Sequence, residues 1–398
     1  MKVIVAGGDG FIGWPLSLRL SSEGHEVLII DNLYRRKIDE ENGYSSISPI
    51  KTIEERIAKW KEITGKTINF LKIDIAAQKD KFFETFESFN PDAIVHLAEL
   101  KSAPYSMKNI KTIDETYTNN TQATLNVLLA MMKYNPKCHL VHIGTMGVYG
   151  YGVVEGTEVP EGYCMAKINC THTEKCECKP VEIVHPYYPG SVYHMTKCLD
   201  NVTLLNFHKY FNLKITELHQ GIVWGVSTPE TEKHPDLCNR IDVDSDFGTV
   251  LNRFCSQIAC GHPLTIYGTG EQTRAFININ DSVNCLMIAL KEGQTSDVVK
   301  INILNQMTST HKLNDLKDQL LEMYPEATCN YIDNPRAELA GNSLIAKNDK
   351  FKKLGHKGIE INPTDLKKLV EACRENKERY DMNKGYIQPI SFWKGTKN

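Results

Sequence analysis

Short β-branched runs alternate with amphipathic segments through the first half of the chain. Residues 3–6 form the first apolar run, and an amphipathic segment carrying Leu16, Leu18 and Leu20 follows it. Similar runs at 26–30, 69–73, 92–97, 139–143 and 214–219 predict strands, since short apolar stretches bounded by turn residues suit strands covered on both faces. Between them, 52–63 puts Ile53, Ile57 and Trp60 on one helical face, and 114–134 predicts a long helix bearing Asn119 and Asn120. Strand and helix in alternation predict an α/β fold built on a doubly wound parallel sheet. The alternation breaks after Gly221, where a polar, turn-rich stretch at 227–235 opens a second region that ends in an amphipathic helix at 364–380. The expected organisation is therefore 1–220 as one domain and 221–398 mainly as a smaller C-terminal lobe, with some of its segments returning to the first. Residues 151–190, irregular and rich in Gly, Pro, Glu and Cys, are expected to form a flap over the site.

A chain of 398 residues with 41% hydrophobic content can bury a large core. Its net charge of -3 argues against a nucleic-acid or polybasic membrane surface, and no apolar run reaches the length of a membrane span. The first strand begins at Lys2, so no leader is expected and the expected compartment is the cytoplasm. Of twelve cysteines, Cys138, Cys198, Cys255, Cys260, Cys285 and Cys373 lie in apolar segments and read as small core residues. Cys164, Cys170, Cys176 and Cys178 cluster beside His172. Their spacing matches no standard zinc knuckle, so free thiols on a loop compete with zinc and no metal is expected.

The chemistry gathers at strand ends. Gly7-Gly8-Asp9-Gly10-Phe11-Ile12-Gly13 follows the first strand and opens a helix, a turn that lets backbone approach a pyrophosphate at the helix N-terminus. The second strand ends in Asp31, placed for the adenosine ribose hydroxyls and repulsive to a 2′-phosphate, which favours NAD over NADP despite Arg35 and Arg36 just beyond. Asp74-Ile75 at the third strand end suits an adenine contact. The loop after the fourth strand, with Lys101, Ser102 and Tyr105, faces the crevice where ligands bind in open parallel sheets. Tyr193 and Lys197 stand one helical turn apart, where an ammonium favours a phenolate, and Thr145 at a strand end can share the same hydrogen bond. Arg274 and Arg336, with nearby Gly268, Gly270 and Tyr267, fit recognition of a nucleoside diphosphate.

Together, Gly7, Gly10, Gly13, Asp31, Thr145 and the Tyr193/Lys197 pair resemble the extended short-chain dehydrogenase/reductases that modify sugar nucleotides, over nearly the whole chain. More narrowly, Asp31-Asn32-Leu33-Tyr34-Arg35-Arg36, Ser102-Ala103-Pro104-Tyr105-Ser106-Met107, Gly144-Thr145-Met146-Gly147, Gln220-Gly221 and Gln272-Thr273-Arg274 resemble the UDP-sulfoquinovose synthase family. The resemblance implies a Rossmann-type NAD-binding domain and conversion of UDP-glucose and sulfite through 4-keto and 5,6-ene intermediates. It implies cofactor contacts that also include Asn32, Leu97, Ala98, Glu99 and Asn119. Substrate contacts would include Gln220, Asn252, Thr265, Tyr267 and Gln272, and a homodimer would form through the helix holding Asn119 and the Tyr193 helix. Related 4,6-dehydratases carry an Asp-Glu pair after the threonine, where this chain has Met146 and Gly147. Two carboxylates there would repel sulfite, so the change favours sulfite addition and turns attention to His194 as the proton-transfer group. The chain departs from the family at Lys101, where arginine is commoner, at Val148, where a glutamate is associated with the plant-type motif, and after Arg336, where an expected histidine is missing. A UDP-hexose 4-epimerase, a 4,6-dehydratase-like enzyme and a non-catalytic NAD-binding sensor are the competing readings.

Overall fold

The computed structural model describes residues 1–150, 158–167, 179–295, 300–336, 343–379 and 387–388. Seven strands form the main sheet: β1 (Lys2–Ala6), β2 (Glu26–Asp31), β3 (Asn69–Lys72), β4 (Ala93–His96), β5 (His139–Thr145), β6 (Lys214–Gln220) and β7 (Asn302–Gln306). Their order is β7-β6-β5-β4-β1-β2-β3, with every neighbouring pair parallel. This is the doubly wound, Rossmann-type α/β sheet that the sequence pattern predicts. The order reverses between β1 and β4, which opens a crevice at their carboxyl ends.

Alternate strand residues enter opposite layers. Val3, Val5, Val27, Ile29, Val95, Val141 and Leu218 pack with Trp14, Leu16, Leu18, Leu20 and Trp60 on one face. Ile4, Ala6, Leu28, Ile30, Ile94, Leu140 and Ile215 meet Val127, Leu128, Met131, Phe82 and Phe86 on the other. The inserted helix Ile53–Thr64 starts at a capping box between Thr52 and Glu55 and buries Trp60. A second helix in the same insertion, Tyr34–Asn42, has a strongly polar sequence and escapes an apolar-face reading.

A third core binds the helices Val250–Cys260, Leu313–Met323 and Pro363–Arg374 to smaller sheets made by Ile222–Trp224, Thr273–Asn278, Ser309–Lys312, Leu264–Tyr267 and Cys329–Ile332. Strand β7 returns to the edge of the main sheet beside β6.

Two parts of the 151–190 stretch lie outside the described residues. What is described differs from an irregular cover: Tyr163–Ala166 and Val181–Val184 form an antiparallel hairpin. It packs at the β7 edge, where Tyr163 bonds the Ile301 carbonyl at 3.2 Å and Lys300 pairs with Glu182. No described residue from 158–167 or 179–190 lines the main cavity, so the expected flap contact is not formed by them. Cys164 is a free, half-buried thiol in that hairpin, while Cys170, Cys176, Cys178 and His172 lie outside the described residues.

Candidate active site

The crevice deepens into a cavity of about 420 Å³. At one end the glycine turn forms its wall. Gly7 has φ +85°, and a Cβ there would meet the Leu97 carbonyl carbon at 2.7 Å, so the turn and the start of the β4 loop touch backbone to backbone. A Cβ on Gly13 would stand 2.2 Å from the Gly7 oxygen, which shows how tightly the following helix is drawn in. Gly10, Phe11, Ile12, Asp31, Asn32, Arg35, Ile75, Leu97, Ala98, Glu99 and Asn119 line the same cavity. Asp31 accepts hydrogen bonds from the Leu33 and Asp9 amides at 2.7 and 3.0 Å. Burial, with the charge of Asp9, raises its carboxyl to about 6. A glycine cradle with a strand-end carboxylate fits an adenine dinucleotide.

At the sheet's centre, Tyr193 and Lys197 stand on the helix Val192–Phe211 beneath the end of β5. Thr145 stands close enough to Tyr193 to favour its phenolate. Lys197 differs from the expectation: its ammonium pairs with Glu99 at 2.6 Å and donates to the Ile143 carbonyl. Burial raises the Tyr193 phenol above its ordinary range, Lys197 opposes the rise and Glu99 adds to it. The lysine alone therefore does not produce a phenolate near neutral pH, as the Tyr/Lys spacing suggested.

His194 lies beside Tyr193, their ring centroids 5.1 Å apart. Its Nδ1 is 3.1 Å from the Ser191 hydroxyl, which caps the helix by accepting the His194 amide. With Nδ1–H donating to that hydroxyl, Nε2 keeps its lone pair on the side of position 147. Burial, then the charges of Arg336 and Arg274, push its pKa down to about 3, so the ring is neutral at physiological pH. Met146 is buried and closes the wall next to it.

The remaining wall gathers Lys101, Ser102, Gln220, Thr265, Tyr267, Gln272, Arg274 and Arg336. Lys101 opens onto the cavity, its Nζ 5.2 Å above the Phe11 ring. Although Lys101 is exposed by its accessible surface, desolvation in the cavity draws its pKa down to about 8 against the pull of Asp242. Four of the expected residues lie outside the cavity lining. Arg36 turns to Asp9, at 2.6 and 2.9 Å. Asp74 accepts from Asn32 at 2.9 Å in a separate surface recess. Tyr105 donates to Glu115 at 2.8 Å, and Asn252 clamps the Gly225 backbone.

Sequence reasoning missed Asp9, Arg240, Asp242, Phe247 and Arg253, which also line the cavity. Arg240 and Arg35 share Asp39 and Asp242. The alternation Arg240-x-Asp242-x-Asp244 was the available signal. His96, Glu99 and His142 bring one ligand-type atom each within 4.8 Å of one another, but the Lys197 ammonium already supplies the cation that Glu99 needs.

This combination of sheet, glycine cradle and Thr-Tyr-Lys cluster defines an NAD-dependent enzyme that acts on nucleotide sugars. Residues 3–303 match the NAD dependent epimerase/dehydratase family, and the chain belongs to it. It is 37% identical to the chloroplastic UDP-sulfoquinovose synthase of Spinacia oleracea, over 99% of this chain and 79% of that one. It is 34% identical to the UDP-sulfoquinovose synthase of Sulfolobus acidocaldarius, over 99% and 98%. Among solved structures, the UDP-glucose 4-epimerase of Thermotoga maritima with UDP-glucose has the same fold, with a TM-score of 0.69 at 21% identity over 94% of this chain and 99% of that one.

Proposed function

We propose that the chain makes UDP-sulfoquinovose from UDP-glucose and sulfite. The observation that carries this reading is at positions 146 and 147: the Thr145–Tyr193 pair is intact, yet a thioether and a bare glycine stand beside it, and the His194 ring fills the space over the glycine. A neutral pocket of this kind admits an anionic nucleophile that paired carboxylates would repel.

NAD, which the Gly7–Gly13 turn and Asp31 would hold, would supply a reversible hydride acceptor for C4, so the net redox change would be zero. Tyr193 takes the proton of the 4-hydroxyl while Thr145 shares its hydrogen bond and Lys197 holds charge beneath it. The resulting 4-ketone acidifies the C5 hydrogen. His194, uncharged and facing position 147, accepts that proton and passes it to the departing 6-hydroxyl, which leaves as water. Hydrogensulfite then forms the C6–S bond with its sulfur lone pair, the enone electrons move to C5, and the proton it carried goes to C5. Tyr193 finally reprotonates the oxygen on C4. Arg274 and Arg336 are suited to the diphosphate and Lys101 to sulfite.

A second copy of the chain is the expected partner. The helices Ile110–Tyr134 and Val192–Phe211 pack together and leave Ile110, Tyr117, Leu199, Val202 and Tyr210 exposed, a surface suited to a four-helix interface. Sedimentation velocity checks it. Among the described residues no helix is long and apolar enough to cross a membrane. A cytoplasmic location stays part of the proposal, to be checked by cell fractionation.

The deciding experiment is mass spectrometry of the protein incubated with UDP-glucose in deuterium oxide, with and without sulfite. A sulfonated UDP-hexose formed only with sulfite supports the reading. UDP-galactose with no solvent deuterium and no sulfonate overturns it in favour of a 4-epimerase.

A further inference from the structure

Beneath Tyr193, Lys197 heads a chain of buried charges whose other three members the reaction as written does not use. Lys197 Nζ lies 2.6 Å from Glu99 Oε2, Glu99 Oε1 lies 3.0 Å from His142 Nε2, and His142 Nδ1 lies 2.5 Å from Glu217 Oε2. None of the four side chains is more than 4% exposed. Two carboxylates and two cations alternate along the chain, so each ion has an opposite neighbour and the desolvation of every one is offset locally. They come from four different elements: the loop after β4, strand β5, the Tyr193 helix and strand β6.

We propose that Glu99 is a positioning residue for the acid–base tyrosine: through Lys197 it fixes the ammonium below Tyr193 and offsets its charge, while the His142–Glu217 pair locks the Glu99 carboxylate in place. The inference rests on Tyr193 being the group that exchanges the proton at O4.

The groups around the chain support the assignment. Burial would push the Glu99 carboxyl up, but Lys197 and His142 outweigh it and hold it at about 2. Burial would lower His142, and Glu217 outweighs that, raising it to about 9. On β4, His96 packs 5.5 Å from the His142 ring, 3.7 Å from Glu99, and burial lowers it to about 3, so it stays neutral. Asp200, on the Tyr193 helix, is 3.8 Å from His142, and burial with the charge of Glu99 raises it to about 8. On β6, burial lowers His219 to about 4, and it bonds Tyr149 at 2.6 Å and Asn201 at 3.0 Å. His194, on the other side of Tyr193, is neutral. Among the described residues Glu99 is the carboxylate in ion-pair contact with Lys197, and its charge, with a smaller contribution from Asp200, opposes phenolate formation.

The consequence fits a reaction whose last proton transfer reverses its first. Tyr193 must take a proton at O4 and give one back. Burial and Glu99 keep the phenol basic enough to hold the proton it must return, while Lys197 limits that rise so that it can take one in the first transfer. Glu99 keeps it in balance.

The test follows reduction of bound NAD after UDP-glucose is added without sulfite, across pH, in the wild type, E99Q, E99D and Y193F. In parallel, the Tyr193 ring is titrated by NMR with isotope-labelled tyrosine, its signal assigned by its loss in Y193F. Removing the opposing charge in E99Q should move both the acidic limb of the rate and the Tyr193 titration down by about one pH unit. E99D, which keeps the charge on a shorter arm, should move them less than half as far. A uniform fall in rate with limb and titration unmoved in E99Q overturns the proposal and leaves Glu99 a merely structural ion. Full activity in Y193F would instead sink the underlying assignment of Tyr193. Should E99Q fail to fold, E99D alone decides: its titration must still fall below that of the wild type.

Discussion

The His194 imidazole occupies the space that a side chain at position 147 would need: a Cβ on Gly147 would stand 2.2 Å from His194 Cδ2 and 2.4 Å from Nε2. Contacts that short do not occur, so any larger residue at 147 evicts the ring. The absence of a carboxylate and the presence of the histidine are then one structural choice. G147A should leave reduction of bound NAD by UDP-glucose within a few-fold of wild type, because Thr145 and Tyr193 need no movement. Sulfonation should fall by about a hundredfold, the order expected when a proton-transfer group is displaced by about an ångström. Comparing single-turnover NAD reduction with sulfonate yield checks both halves, and equal losses in the two would remove His194 from the later steps.

Lys101 sets a limit on alkaline pH. Its pKa is drawn down to about 8 by desolvation, so the ammonium loses its charge as pH rises through 8. If that charge receives sulfite, KM for sulfite should climb above pH 8 while KM for UDP-glucose stays level. K101R, whose guanidinium does not titrate in this range, should flatten the climb. Initial-rate measurements from pH 7 to pH 9.5 distinguish these outcomes, and a K101R profile that climbs like the wild type would assign the titration elsewhere.

Much of this was legible because it is local. Gly7 to Gly13, Asp31, Thr145 and Tyr193 to Lys197 each lie within one turn or strand end, and the strand runs identify the sheet that brings them together. The Glu99–His142–Glu217 chain was not legible, since its members are 43 and 75 residues apart and meet only because neighbouring parallel strands hold them. The same holds for Lys197, whose spacing to Tyr193 says nothing of the carboxylate opposite. Arg36 shows the same limit: a guanidinium beyond a strand-end acid suggests a phosphate contact, and only the fold shows Asp9 paired with it. The polar helix Tyr34–Asn42 had no apolar stripe to announce it.

That Asp9–Arg36 pair bears on cofactor choice. Arg36 follows the strand end that carries Asp31, and Asp9 holds it at 2.6 and 2.9 Å while the Lys51 carbonyl accepts from it at 2.8 Å. D31N should therefore weaken NAD binding, by about tenfold for one lost charged hydrogen bond of roughly 1.5 kcal/mol, without gaining NADP. D9N/D31N should release Arg36 and raise NADP affinity above that of D31N. Calorimetric titration of both dinucleotides reads this directly, and equal NADP affinity in the single and double variants would refute the sequestering role.

His142 gives stability a pH dependence of definite sign. Its pKa rises on folding from 6.5 to about 9, so the folded state binds the proton more tightly. The stabilisation is complete below about pH 6.5 and is lost as pH rises through 9, a swing on the order of 3 kcal/mol. Asp200, raised to about 8 by burial and the charge of Glu99, acts in the same direction, since keeping or ionising it in the folded state costs progressively more as pH climbs to 8. Glu99, held at about 2, contributes a constant amount over this range. Urea midpoints should therefore fall steadily between pH 6.5 and pH 9. H142Q, less stable at pH 6.5 because Glu99 and Glu217 lose the cation between them, should fall less and keep only the Asp200 decline, which ends near pH 8. A wild-type midpoint level across that interval would mean that His142 is not the imidazolium the ion chain requires.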